Sequence, residues 1–456
     1  MTSGDAPPQR GGGPDGSPGE VVPSLVAQGL AVPAWRTPQA LVEVVGPAAG
    51  AVRAELLLVD HQLVELHRLA CWPSAAPDAR GAGGERERAD PEAADGDGVA
   101  HLVDADEEGA PGGTAGAAAL AFREQRAVLA PDGLTTCQPV TVRGHRLGVL
   151  LAEAPAPGAA VRACAEVLAA AAPAAALLLR QAAEGSDDVE VRRRSHVFSV
   201  AAEMQWDVLP PTEHRGPGVE LAALVEPAYL ATNDLFDWAV DDDVLTLALL
   251  EAAGEGLAAA RAADLALAAV RHARRCGMAL EEQAATADDV LRHRSGGHER
   301  VGAVLVRVDL RTGGASVVVA GEVPVLLWTA GGPDDADGGA LEELDLPRGP
   351  ALGDGDADDR SAAPLPVAAG ERLVLASSGV LEARSPEDRP FGVAGLAEGL
   401  RRAVDVLDAP RLVARAVTDH AGGEVVRDAT CFVVRWGDGV ADAAPAGPQA
   451  GAAPGA

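Results

Sequence analysis

Three acidic residues in the second half of this 456-residue chain stand at the edges of apolar runs. Asp234 follows Asn233, Glu251 closes the apolar run Leu245 to Leu250, and Asp428 stands just ahead of Ala429 and Thr430. Carboxylates are the hard oxygen ligands that Mg²⁺ and Mn²⁺ prefer, so acids converging from separate segments would mark a divalent-cation site. Two such ions held about 3.5–4 Å apart clamp a phosphoryl group and lower the pKa of a bridging water. Two dications repel unless several anions surround them, so the number of acids decides whether this chemistry is possible.

Other candidates are weaker. His293 and His298 flank a Gly-Gly pair and could be ligands, but no third ligand lies nearby in sequence, which favours an exposed loop. Asp241 to Asp243 read as a solvated turn before a strand. The five cysteines, Cys71, Cys137, Cys164, Cys276 and Cys431, form no CxxC pair, which argues against a zinc or disulfide framework. Cys164 and Cys431 sit in apolar runs and read as core residues. His101 and Cys137 are isolated and read as packing or surface positions.

The elements that must carry these residues follow from composition and pattern. The length allows two or three domains. The formal net charge of −31 excludes a nucleic-acid partner, which needs clustered positive charge; the short cluster Arg192 to Arg194 reads as a solvated helix face. Every basic residue is Arg, and aromatics make up 3%, so cores of small aliphatic side chains are expected. Residues 1–36 are rich in Gly and Pro and predict a disordered tail without a signal peptide. The most apolar run, Val167 to Leu179, is shorter than the roughly 20 residues a bilayer requires. The expectation is a cytoplasmic protein with no membrane partner.

A first domain is expected over 37–182. Its predicted elements are a helix from Gln39 to Val45 and strands from Ala51 to Val59 and Val64 to Cys71. A polar loop follows from Pro77 to Gly98, then a helix from Gly116 to Glu124. Strands Cys137 to Val142 and Arg146 to Ala152 form a hairpin about Arg143 and Gly144, and a helix from Ala159 to Ala182 is kinked at Pro173. The element order, with GTAGAAALAFREQRAVLAP and QPVTVRGHRLGVLLAE, resembles a GAF domain. That resemblance implies an α/β sensor for a small ligand, or a dimerisation spacer of the same shape. A connector over 183–209 follows, in which Val191, Phe198, Ala202 and Trp206 fall on one helical face that could relay a signal, form a homodimer or pack on its own domain.

Residues 210–437 are expected to form the second domain, ahead of a disordered tail over 438–456. Leu245 to Leu250, Val301 to Asp309, Val317 to Val319, Val323 to Trp328, Arg372 to Ala376 and Cys431 to Trp436 read as strands. Helices are expected from Leu257 to Arg275 and Leu280 to Arg292. Without regular βαβ alternation, these elements predict an α+β sandwich.

Five ordered segments carry a second resemblance: AAEMQWDVLPP with EPAYLATNDLFDWAV, ALLEAAGEGLAAA, VLVRVDLRTGGASVVVAGEVPVLLW, RLVLASSGVLEARSPEDRPFG, and DHAGGEVVRDATCFVVRW. Together they resemble the SpoIIE-like branch of the metal-dependent protein phosphatase (PPM) family. The resemblance implies a β-sandwich flanked by helices and phosphomonoester hydrolysis with Mn²⁺ or Mg²⁺. It makes Asp234 and Glu251 the catalytic, metal-binding acids, although Thr232 and Asn233 replace two family glycines and Glu251 replaces a bridging Asp. Ser378 stands where the family has the Asp of Thr-Asp-Gly, and Arg427 where it has the first Asp of Asp-Asp-Ala-Thr. Glu255 and Glu322 replace histidines, and Asp428 is the nearby acid that could substitute as a metal ligand.

Arg427 brings a permanent cation to a ligand position. It could pair with Glu251 or Asp234, or swing into solvent. The favoured expectation is therefore a degenerate, weak or inactive phosphatase, holding one ion at most and regulating a phosphoprotein partner. The alternative is an active serine/threonine phosphatase whose substrate is a phosphorylated anti-sigma-factor antagonist.

Overall fold

The computed structural model describes residues 18–74, 99–102, 112–226, 233–294, 299–330, 339–354, 360–368, 370–423, 425 and 427–437. The chain divides into two compact units, 1–142 with 146–195 and 143–145 with 196–456. The expected loop from Pro77 to Gly98 and the tail over 438–456 lie outside the described residues.

The first unit is built on one six-stranded sheet. Its strands are β1 (Arg53–Val59), β2 (Glu65–Trp72), β3 (Val99–His101), β4 (Val128–Leu129), β5 (Thr135–Val142) and β6 (His145–Glu153), in the order β3-β2-β1-β6-β5-β4. Four helices are α1 (Pro18–Ala31), α2 (Thr37–Ala48), α3 (Gly113–Glu124) and α4 (Ala159–Gly185). Leu41, Val45, Leu56, Leu150 and Leu168 belong to one apolar core with α1, α2 and α4, while Phe122 of α3 packs with Val59, Val149 and Cys137 in a second. Side chains alternating across the sheet thus bury both faces.

Two expectations for this region need correction. Residues 18–36 are not a disordered tail: α1 is formed, and Val21 and Leu25, one helical turn apart, are buried in the core. The Gly- and Pro-rich composition around that short apolar repeat hid it. The helix expected at the end of the first domain is formed, is 27 residues long and includes Pro173. It is also the one helix among the described residues long and apolar enough to cross a bilayer, yet Cys164, Leu168, Ala171, Ala175 and Leu179 are buried in this unit's core.

The connector is not one helix either. It consists of α5 (Asp187–Arg192) and α6 (Val200–Val208), separated by a non-helical stretch. Ser186 and Ser199 explain the break, because each accepts a hydrogen bond from a backbone N–H of the following helix, from Asp188 and Ala202 respectively. Val191 is 51% exposed, whereas Phe198 and Ala202 are buried with Trp206 packed against them, so the four do not share a face. The boundary between the units, after Ser195, falls inside this connector.

The second unit is an α+β sandwich of two six-stranded sheets. Its strands are β7 (Glu213–Gly216), β8 (Val219–Glu226), β9 (Asp234–Asp241), β10 (Val244–Ala252), β11 (Val301–Asp309), β12 (Ala315–Ala320), β13 (Val325–Ala330), β14 (Gly339–Glu343), β15 (Arg348–Gly349), β16 (Ala363–Pro364), β17 (Arg372–Ala376) and β18 (Ala429–Trp436). One sheet runs β15-β12-β11-β10-β9, with β16 also on β12; the other runs β14-β13-β17-β18-β8-β7. Phe236, Leu247, Val304, Val319, Leu373, Phe432 and Trp436 fill the space between them. Each fully buried side chain of this kind contributes roughly 1.5–3 kcal/mol.

Two helix pairs complete four layers. Helices α7 (Gly256–Arg275) and α8 (Leu280–Arg294) cover the first sheet through Ala263, Leu267 and Leu291. The short helix α9 (Ser378–Glu382) leads to α10 (Gly392–Arg401) and α11 (Ala409–His420), which cover the second through Leu396, Leu400 and Val413. Strands β7, β8 and β9 were not read from the sequence, although β8 is buried along nearly all its length. Asp241 to Asp243 lie at the β9–β10 turn and are exposed.

Candidate functional site

One end of the sandwich gathers the acids. Strands β9 and β10 are antiparallel, and their register sets Asp234 opposite Glu251 at the end of the ladder. In the other sheet β17 ends at Ala376 and β18 begins at Ala429, so Ser377, α9 and Asp428 occupy the same end as those acids. Backbone pairing continues past the strands: the Ser377 N–H donates to the Thr430 carbonyl at 2.9 Å, and the Thr430 N–H to Ser377 Oγ at 2.9 Å. Gly379 is required here, because a Cβ at that position would lie 1.7 Å from the Asp428 carbonyl oxygen.

Asp234 is 1% exposed. Its Oδ2 accepts the Thr430 hydroxyl at 2.9 Å, while the nearby Ser377 hydroxyl donates to the Asp428 carbonyl at 3.2 Å. Burial, followed by the like charges of Glu251 and Asp428, pushes its carboxyl well above the ordinary range despite those hydroxyls. Asp428 is buried as well and accepts the Asn233 N–H. Burial raises its carboxyl to about 7, against the lowering effects of the Asn233 and Asp234 backbone bonds and the Arg427 charge.

Glu251 is committed differently. Its Oε2 accepts the Ser378 N–H at 3.2 Å, its Oε1 accepts the Ser378 hydroxyl, and Arg427 Nη2 lies 3.8 Å from Oε1. Arg427 Nη2 also donates to Ser378 Oγ at 3.1 Å, and its Nη1 donates to Glu382 Oε2 at 2.6 Å. A chain of contacts thus runs from Glu251 through Ser378 and Arg427 to Glu382. Ser378 and Arg427 thus close over Glu251.

Of the sequence-derived residues, Asp234, Glu251, Asp428, Ser378 and Arg427 come together. Arg427 reaches Glu251, and its guanidinium is about half exposed. The sequence reading missed Ser377, Thr430 and Glu382. Glu382 lies four residues after Ser378 on α9, and that helical spacing was the available signal. His293 lies apart on α8, exposed, with Nδ1 2.7 Å from the Asp289 carbonyl; His298 lies outside the described residues. Glu255 and Glu322 are exposed, and the five cysteines are unpaired, with Cys164 and Cys431 buried.

The arrangement does not fit a dinuclear metal centre. Among the described residues no three His, Cys, Asp or Glu side chains are grouped so as to hold a metal ion. Oxygens a cation would need accept hydrogen bonds from Thr430, Ser378 and Asn233, and a guanidinium stands beside Glu251. What the site can do chemically is present a half-exposed Arg beside Glu251 and the buried acids Asp234 and Asp428.

Residues 241–437 match the family described as stage II sporulation protein E (SpoIIE). That span contains Glu251, Ser378, Arg427 and Asp428, and begins seven residues after Asp234. No curated protein matches the chain. Among solved structures, the chain is similar to the SiaA-PP2C domain of Pseudomonas aeruginosa, with 21% identity, 47% of this chain and 84% of that one covered, and a TM-score of 0.40. It is also similar to the RsbU and RsbW domains of Rv1364c from Mycobacterium tuberculosis, at 21% identity with 49% and 61% covered and a TM-score of 0.41. A third is the PP2C phosphatase domain with a regulatory-domain fragment of SpoIIE from Bacillus subtilis, at 16% identity, 48% and 64% covered, TM-score 0.41.

Proposed function

We propose that the second half of the chain, which matches the SpoIIE family over residues 241–437, is a degenerate PPM-type phosphatase domain that engages a phosphoprotein partner without turning it over. One observation carries this reading: Glu251, the remaining acid of the bridging position, has its oxygens bonded to Ser378 and faced by Arg427. A cation in place of a ligand is harder to overcome than a missing ligand, because a metal ion would have to displace a like charge. Arg427 is exposed enough to meet a phosphoryl group, and a guanidinium holds phosphate without supplying a nucleophile. The first unit acts in this reading as a GAF-like sensor for a small ligand, and the protein works in the cytoplasm.

The test is hydrolysis of p-nitrophenyl phosphate by the full chain with Mn²⁺ titrated, beside Asp234→Asn. The expected result is no metal-dependent turnover in either protein. Metal-dependent turnover in the wild type that Asp234→Asn abolishes would overturn the reading, in favour of an active phosphatase acting on a phosphorylated anti-sigma-factor antagonist.

A further inference from the structure

We propose that the solvent face of α4 is a homodimer interface in which two copies of this chain pair their α4 helices antiparallel about a two-fold axis at Pro173. With 3.6 residues per turn, Arg162, Glu166, Ala169, Pro173, Leu177, Arg180 and Glu184 fall within an arc of about 80°. All seven are exposed, while the opposite face of the helix is buried in the core. Leu177, one turn past the central Pro173, is 59% exposed.

The stripe is self-complementary by charge and by size. Arg162 and Glu184 lie eleven residues on either side of Pro173, Glu166 and Arg180 seven, and Ala169 and Leu177 four. In an antiparallel two-fold pair, residues equidistant from the axis face each other across the interface. Arg162 then meets the second copy's Glu184, Glu166 meets its Arg180, and the small Ala169 receives its Leu177. A parallel pair would set each charge beside its own copy, giving repulsion at all four levels.

The isolated helix does not account for these charges. Arg162 lies in the second turn and Glu184 in the last, each at the end of the helix dipole that disfavours it. Within α4 each Arg precedes its Glu by four residues, the weaker orientation of such pairs. Among the described residues none of the four has an ion-pair partner. An antiparallel second copy reverses each penalty, bringing Arg162 to the negative end of the facing helix and Glu184 to its positive end.

The test is sedimentation equilibrium of the full chain at low and high salt. The expected species is a dimer that weakens as salt rises. Glu166→Arg and Arg180→Glu each set like charges in contact twice per dimer, and each is expected to weaken association about tenfold or more. The double variant Glu166→Arg/Arg180→Glu restores the complement and returns the dissociation constant to within about threefold of wild type. These positions are exposed, and unchanged circular dichroism keeps misfolding from imitating dissociation. A monomeric wild type, one that associates only with a different protein, a dimer indifferent to both single changes, or a double variant no tighter than the singles each overturns the proposal.

Discussion

Two aspartates on one strand show how differently this fold treats buried charge. Asp234 and Asp237 are three residues apart on β9, and each is 1% exposed. The alternation of side chains sends them to opposite faces of the sheet. Asp237 faces α7, where Arg271 and Arg274 bind its two oxygens at 2.6 and 2.7 Å. Asp234 faces the other sheet, where it accepts the Thr430 hydroxyl and feels the charges of Glu251 and Asp428. Asp237 is thus a buried acid matched by two cations, whereas Asp234 is a buried acid set beside other acids, an arrangement that shifts its titration instead.

The largest expected effect breaks that comparison at its structural end. Asp237→Ala leaves two largely buried guanidiniums without an anion, which costs about 3–5 kcal/mol. Asp234→Asn removes a carboxyl from a like-charged cluster while keeping an acceptor for Thr430, so stability at pH 7.5 stays level or rises by about 1 kcal/mol. Urea unfolding of both variants measures the difference. Equal losses would mean that Asp234 is a structural acid like its neighbour.

How much of this was legible in sequence follows from the same residues. The sandwich was readable because Leu245 to Leu250, Val301 to Asp309 and Cys431 to Trp436 are dense apolar runs, and the structure makes strands of them. Glu251, Ser378, Arg427 and Asp428 were placed by motif order. Asp237 drew no notice, because its partners lie 34 and 37 residues away on α7, and nothing local marks a contact of that range. Nothing local marks Ser377 and Thr430, because their hydroxyls act on groups brought together only by the pairing of distant strand ends. Helix α1 was hidden by composition, and the connector's break by two serines whose capping role competes with helix periodicity.

The comparison sharpens further with pH. Asp428 rises from an ordinary 3.8 to about 7 on folding, chiefly through burial. A carboxyl with a higher pKa folded than unfolded binds more protons in the folded state, so its stabilising contribution is complete below pH 4 and is lost as pH rises through 7. A shift of this size corresponds to roughly 2–4 kcal/mol between those limits, shared with Asp234 because the two titrate together. Asp428→Asn is expected to flatten that slope in unfolding measurements between pH 4 and 8. A slope that survives the substitution would locate the titrating group elsewhere in the chain.

The smallest effect on stability comes from the residue most telling for function. Arg427 is 52% exposed and its partner Glu382 62%, so screening by solvent limits Arg427→Ala to about 0–1 kcal/mol. Its consequence lies in the acids: removing the guanidinium takes away a charge that holds the Asp428 carboxyl down, which moves the pH-dependent loss upward. The same logic predicts that Ser378→Asp with Arg427→Asp increases Mn²⁺ affinity, since two carboxylates then replace the hydroxyl and the cation at Glu251. Isothermal titration calorimetry with Mn²⁺ measures this directly. Unchanged binding would show that the two positions do not face the acid cluster as a metal site requires, and would leave Asp234 and Asp237 distinguished by their partners alone.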